Sequence, residues 1–255
     1  MDDTDEAKAY REAAERFALS AMHVFFALHI TRTIQGRRKV LDLACGSGGV
    51  LAIVAQLNPE IEFIGVDLSE KMLEEAEGHI RPLGLTNVRL VKGDICRLDF
   101  PEAKGADGFL CTFSMHHLPG IEILRGLFLA VRQNLPPQGA IFFGDLCHLK
   151  SERSIRFIAE TENRGAPGVY LEDSLNSLRA AYFRDDIEAL RREFLPETKL
   201  HTTFPARFLY VLKTKSVALP PSAQRAIARE YDHLSLANQA VFQKIQWLFR
   251  LGGLW

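Results

Sequence analysis

A chain of 255 residues with 47% hydrophobic and 25% charged side chains can bury a sizeable core as one compact α/β domain with additions, and is short for two domains. With 31 lysines and arginines against 32 acids, its formal charge of -1 offers no overall field to a nucleic-acid backbone, so no nucleic-acid partner is expected. The opening Met1-Asp2-Asp3-Thr4-Asp5-Glu6 lacks the basic and apolar regions of a secretory signal, and no uncharged apolar run approaches membrane-spanning length, so a cytoplasmic protein without a membrane partner is expected.

Ahead of the first strand, Tyr10, Ala14, Phe17, Ala21, Val24 or Phe25, and Leu28 recur every three or four residues, which predicts a helix with one apolar, aromatic-rich face. Val40-Leu-Asp-Leu-Ala-Cys-Gly-Ser-Gly-Gly49 then reads as a buried strand that stops at a small-residue turn and opens a helix to about Leu57. Gly46 and Gly48 have no side chains to hold a ligand off the main chain, and the helix aims its dipole and free amides into the same space. A glycine pair alone fits a plain tight turn better than a ligand loop. The second apolar run, Ile61 to Asp67, ends in an acid about twenty residues after the glycines, the spacing at which a carboxylate accepts from both ribose hydroxyls. Ser69 is the better N-cap for the following helix, which carries Met72, Leu73 and Ala76, and this leaves Asp67 free for a ligand.

A third run, Val88 to Asp94, ends in another acid, readable as a turn residue after Gly93 or as an acceptor for a base's exocyclic amine. A fourth, Asp107 to Leu118, closes on His116 and His117. Pro119 to Leu135 reads as a helix with Pro119 at its first position and Pro136-Pro-Gln-Gly139 ending it, and Ala140 to Asp145 as a fifth strand. Leu146 to about Tyr182 interrupts the rhythm with Asn163-Arg-Gly-Ala-Pro-Gly168 and a helical stretch from Leu171. An insertion there can close over a substrate, which makes Arg164, Tyr170 and Phe183 candidate lining residues. Asp185 to Phe194 reads as a helix, Leu200 to Lys213 as two short β-like runs around Pro205, and Ser222 to Trp255 as one long helix with the apolar ending Trp247 to Trp255. That ending suits packing on the parent domain, a homodimer contact, or a share in a substrate pocket.

Alternating strands and helices call for an α/β, Rossmann-like, doubly wound sheet with its ligands at the carboxyl edge. The predicted division is an N-terminal helical cap over 1–36, a core over 37–215 with a helical insertion at about 147–182, and a C-terminal helical extension over 216–255. Cys45, Cys96, Cys111 and Cys147 show neither Cys-x-x-Cys spacing nor histidines at metal-ligand intervals, so they read as reduced, packed thiols and no metal is expected.

With these residues in order, the stretch from Val40 to Leu146 resembles the class I S-adenosylmethionine-dependent methyltransferases, in the branch holding the ubiquinone/menaquinone-biosynthesis and many small-molecule enzymes. The resemblance implies a mostly parallel seven-stranded sheet with an antiparallel edge hairpin, S-adenosyl-L-methionine as cofactor, and a small-molecule acceptor. Leu41-Asp42-Leu43-Ala44-Cys45-Gly46-Ser47-Gly48 matches the family's glycine turn, with Ala44 a mild change from the first glycine of many relatives. The implied cofactor set is Asp42, Ala44, Gly46, Ser47 and Gly48 in the turn; Asp67 on the ribose, Leu68 on the adenine, and Met72; Asp94 and Ile95 at the adenine edge; and Phe113 and Ser114, which with Met115 and His116 lie under the methionine part. A segment ahead of the first strand often covers the cofactor in such enzymes; docking on the sheet edge is the alternative for this one.

A sulfonium is already activated, so the protein mainly positions the nucleophile; a hydroxyl or acidic carbon acceptor also needs a base, for which His117 is the first choice and His116 the second. His148, after the fifth strand, ranks behind them, and His23, His29, His79, His201 and His233 have no comparable placement. A nicotinamide-dependent dehydrogenase would also use Asp67 and a glycine turn, but that fingerprint wants glycine at 44 and has no particular need of Asp94 or the His-His strand end. An inactive S-adenosylmethionine-binding scaffold is the third reading.

Overall fold

The computed structural model describes residues 18–163 and 168–254; Tyr10, Ala14, Phe17, Arg164 and Trp255, singled out above, lie outside them. In chain order the elements are α1 (Ala18–Ile34), β1 (Lys39–Leu43), α2 (Gly49–Leu57), β2 (Glu62–Asp67), α3 (Glu70–Ile80), β3 (Val88–Lys92), β4 (Gly108–Thr112), α4 (Ile121–Asn134), β5 (Ala140–Leu146), α5 (Glu152–Glu162), α6 (Gly168–Ala180), α7 (Arg184–Phe194), β6 (Lys199–Thr202), β7 (Leu209–Lys213), α8 (Pro221–His233) and α9 (Leu236–Leu251). The seven strands form one sheet in the order β3-β2-β1-β4-β5-β7-β6. The first five are parallel, while β7 runs antiparallel to both β5 and β6. This is the expected α/β, Rossmann-like sheet with its antiparallel edge, and the order reverses between β1 and β4, where such sheets open a crevice.

Side chains alternate across the sheet as the pleat requires. Val40, Phe63 and Phe142 face one apolar layer with α1, α2, α8 and α9; Leu41, Phe109, Phe143 and Tyr210 face the other with α4 and α7. The helix ahead of β1 departs from its one-sided pattern. Beyond Ala21, Val24, Phe25 and Leu28, its Phe26, Ala27, Ile30 and Ile34 are also buried, because the helix is enclosed by the sheet on one side and α9 on the other. Phe25 stacks on Phe249 at 5.3 Å and meets Phe242 edge-on at 5.8 Å, so much of the apolar tail packs on its own domain, while Trp247 and Leu251 remain exposed.

Three boundaries differ from the sequence reading. The long tail helix is broken after His233, where the Ser235 hydroxyl accepts from the Asn238 amide at 3.3 Å and starts α9; a cap signal competed with an apolar periodicity that runs through it. Pro119 does not open α4, whose N-cap is Gly120 at φ 92. The fourth strand ends at Thr112, since Phe113 takes φ 52 and Met115–His117 form a 3-10 turn.

Candidate functional site

The turn after β1 is built on left-handed backbone. Ala44, Gly46 and Gly48 have φ of 56, 54 and 76, and Gly48 is the N-cap of α2. The two glycines act differently. A Cβ on Gly46 would enter open space, whereas one on Gly48 would lie 3.1 Å from Ala76 Cβ. Gly46 thus keeps the cleft side of the loop bare, and Gly48 lets α2 and α3 close up. Ala44 is not the mild change expected of it, because an L side chain in this region costs about 1–2 kcal/mol. Ala44→Gly is therefore expected to stabilise the fold by about 0.5–1 kcal/mol after the added chain entropy of glycine, read as a rise of about 2–3 °C in a thermal melt. A fall would mean that the Ala44 methyl packs usefully.

Asp67, at the end of β2, spans the cleft floor. One carboxylate oxygen accepts from the Gly46 amide and the other from the Ser69 amide, both at 2.9 Å. Ser69 caps α3 as expected, its hydroxyl accepting from the Met72 amide at 3.3 Å, so Asp67 is not consumed as the cap. Each Asp67 oxygen keeps a lone pair for a ribose hydroxyl. Beside it Leu68 is 70% exposed, the state expected of an apolar wall that a flat base would cover, and Met72 is half-buried. Asp42 is almost wholly buried in β1; burial, with the nearby charge of Asp67, pushes its carboxyl up to about 7. Two acids on adjacent strand ends favour a cation beside them, and S-adenosylmethionine carries both a sulfonium and an ammonium. The donor set therefore fits that cofactor: Asp67 and Leu68 for its nucleoside, the bare Gly46-Ser47 backbone and the acidic floor for its charged end.

Asp94 is exposed, and its carboxylate accepts from the Cys96 amide at 2.9 Å. It makes the turn that the sequence allowed and buries Ile95 beneath it. Ser114 holds the loops together: its hydroxyl lies 2.8 Å from the Ala44 carbonyl and 2.9 Å from that of Thr112. Phe113 stacks on Phe26 of α1 at 4.8 Å, so the first helix both docks on the sheet and reaches the site.

Sequence reasoning missed three residues here. His79 Nδ1 lies 2.7 Å from the Ser47 carbonyl. The His23 ring lies against Gly49 at the head of α2, and burial pushes its pKa down to about 4, so it is neutral at pH 7. Asp145 of β5 is buried, accepting from the His116 ring Nδ1 at 2.7 Å, the His116 amide at 3.0 Å and the Leu146 amide at 2.7 Å. An acid at the end of a fifth strand was the available signal for Asp145. His23 and His79 gave none, since their helices reach the loop only through tertiary packing.

The two histidines differ sharply. His116 is buried, and although burial disfavours its charged form, the hydrogen bond and charge of Asp145 outweigh it and raise its pKa above 6.5. His117 is exposed at the residue level, its ring centroid 4.1 Å from that of His116. Partial burial of the ring and the neighbouring His116 lower its pKa below 6.5. The α6 helix packs on this turn and brings Asp173 near both rings. His148 meets the Phe183 ring at a tilt instead, 4.3 Å between centroids. Cys111 and Cys147 are buried and Cys45 and Cys96 partly so; no group of metal-ligating side chains occurs among the described residues, and none of their helices is long and apolar enough to cross a membrane.

Residues 40–139 match a methyltransferase domain model. A demethylmenaquinone methyltransferase of Geobacillus kaustophilus is 32% identical over 87 residues, covering 34% of this chain and 37% of that protein. An uncharacterised protein of Rickettsia prowazekii is 27% identical over 202 residues, 78% of this chain and 33% of that one. The chain thus spans about a third of the length of either relative. Among solved structures, the plantazolicin methyltransferase BpumL in complex with SAH superposes with a TM-score of 0.58 at 17% identity, covering 84% of this chain and 91% of that one. Residues 40–139 thus match a methyltransferase domain, and the sheet that carries them has the fold of the superposed methyltransferase structure.

Proposed function

We propose that this chain transfers a methyl group from S-adenosylmethionine to a small-molecule acceptor, in the cytoplasm, with His117 as the base. The observation that carries the reading is the Asp67 carboxylate held between the Gly46 and Ser69 amides beside the uncovered Leu68. When bound, the cofactor supplies an electrophilic methyl already activated by the sulfonium charge. The chain's own work is positioning and proton transfer. His117 is accessible and neutral at pH 7, as a base must be, whereas His116 is committed through its ring and amide to Asp145 and fixes the turn that carries its neighbour.

Calorimetric titration with S-adenosylmethionine, S-adenosylhomocysteine and NADH tests the cofactor. The first two are expected to bind saturably and NADH not; NADH binding alone would replace the reading with a dehydrogenase. For the base, His117→Asn is expected to lower kcat about 10²-fold, followed as S-adenosylhomocysteine release with an acceptor found by screening. The rising limb of the wild-type kcat/KM profile is expected below pH 6.5, because the His117 pKa is lowered. A limb above pH 6.5, lost in His116→Asn, would transfer the role to His116, whose pKa is raised.

A further inference from the structure

A cavity of about 750 Å³ opens on the same carboxyl edge of the sheet, between the segment after β5, the first turns of α5 and α7, and the β6–β7 turn. Its volume falls within the range of small-molecule sites. Four cations line it, Lys150, Arg153, Arg184 and Arg207, against a single acid, Asp185. Across the whole chain basic and acidic residues number 31 and 32, so this four-to-one balance is a local construction. Asp185 pairs with Arg184 at 3.2 Å, while no acid among the described residues pairs with Lys150, Arg153 or Arg207.

Three phenylalanines share the walls: Phe157, Phe183 and Phe204 are 66%, 52% and 49% exposed. Rings left in water around one cavity mark a surface that is covered in use. Unpaired guanidinium groups beside them suit a planar carboxylate or a phosphate, which Arg grips with two parallel hydrogen bonds. The cavity also adjoins the histidine turn. Cys147, in its wall, follows two residues after Asp145, the partner of His116, which is about 7 Å along an extended chain.

We propose that this cavity binds the anionic end of an aromatic or otherwise apolar acid, and that this acid is the methyl acceptor. Only the second clause rests on the methyl-transfer reading above; occupancy of the cavity stands apart from it. The test uses 2-naphthoate as probe and the neutral 2-naphthamide as its isostere, titrated by calorimetry into the whole chain. The naphthoate is expected to bind saturably, at least about tenfold more tightly than the amide, and to weaken as salt is raised. Arg153→Gln with Arg207→Gln is expected to cost it about 10²-fold, about tenfold for each Arg–carboxylate bond, with S-adenosylhomocysteine affinity unchanged. Equal affinity for the amide, no effect of the substitutions, or no saturable naphthoate binding would overturn the proposal. If the double variant melts early or loses S-adenosylhomocysteine, exposed Lys150→Gln is held to the same criterion, with a loss of threefold or more as the expected result and no loss as the refutation. Failure of S-adenosylmethionine to bind the wild-type chain would remove the acceptor assignment and leave the anion site standing.

Discussion

Replacing Asp67 with alanine is expected to raise the dissociation constant for S-adenosylhomocysteine by about 10²- to 10⁴-fold. The loss follows from two charge-assisted hydrogen bonds to the ribose, worth about 1.5–3 kcal/mol each in a partly desolvated cleft. The same carboxylate accepts from the Gly46 and Ser69 amides, so alanine also releases the glycine turn and the entry to α3. Those amides lie at the cleft, where water can replace the lost acceptor, and the stability cost is expected to stay near about 1 kcal/mol. Asp67→Asn keeps one acceptor oxygen and is expected to sit between the two, at about tenfold. Calorimetry on the three proteins measures this, with a denaturation curve for each. Affinity within threefold of wild type in Asp67→Ala would remove Asp67 from the cofactor site and leave it as a loop clasp.

Asp145→Ala is the substitution expected to cost the most stability, about 3–5 kcal/mol, the range for removing one partner of a buried ion pair. Three donors lose their acceptor at once: the His116 ring, the His116 amide and the Leu146 amide. Asp145→Asn keeps an acceptor oxygen and is expected to lose less. The pair also makes stability depend on pH with a definite sign. Because the His116 pKa is raised above 6.5 in the fold, its protonated ring contributes stability that is fully present below pH 6.5 and is lost as pH rises through the raised value. Chemical denaturation from pH 5.5 to 9 is expected to show this decline in wild type and not in His116→Asn. A wild-type stability that rises across that interval would mean the ring is held neutral. So would a loss under about 1 kcal/mol in Asp145→Ala, which would leave the turn to other contacts.

The sequence carried the skeleton of the proposed site because a cofactor cleft of this kind would use strand ends in chain order. Asp42, Gly46, Gly48 and Asp67 lie close together in sequence, and a strand's period of two with a helix's period of 3.6 is enough to place them on one edge. What it rendered poorly were places where two local signals compete or where partners are remote. The tail read as one helix because its apolar spacing runs past Ser235, which in the fold acts as a cap. The glycines looked alike in sequence, yet only Gly48 faces another helix. Ala44 looked harmless because sequence does not report the sign of φ.

The chain's order of residues by itself determined the alternating α/β plan and its parallel strands, set by local periodicity and short-range turn chemistry, while the antiparallel edge was what the resemblance implied. Only the tertiary structure decided that Asp145 seizes His116 and leaves His117 accessible, that His23 reaches the glycine turn, and that Arg153 and Arg207 meet across one cavity. These are contacts between segments tens of residues apart, and their energies come from burial and charge separations that exist only once the sheet has brought its strand ends together.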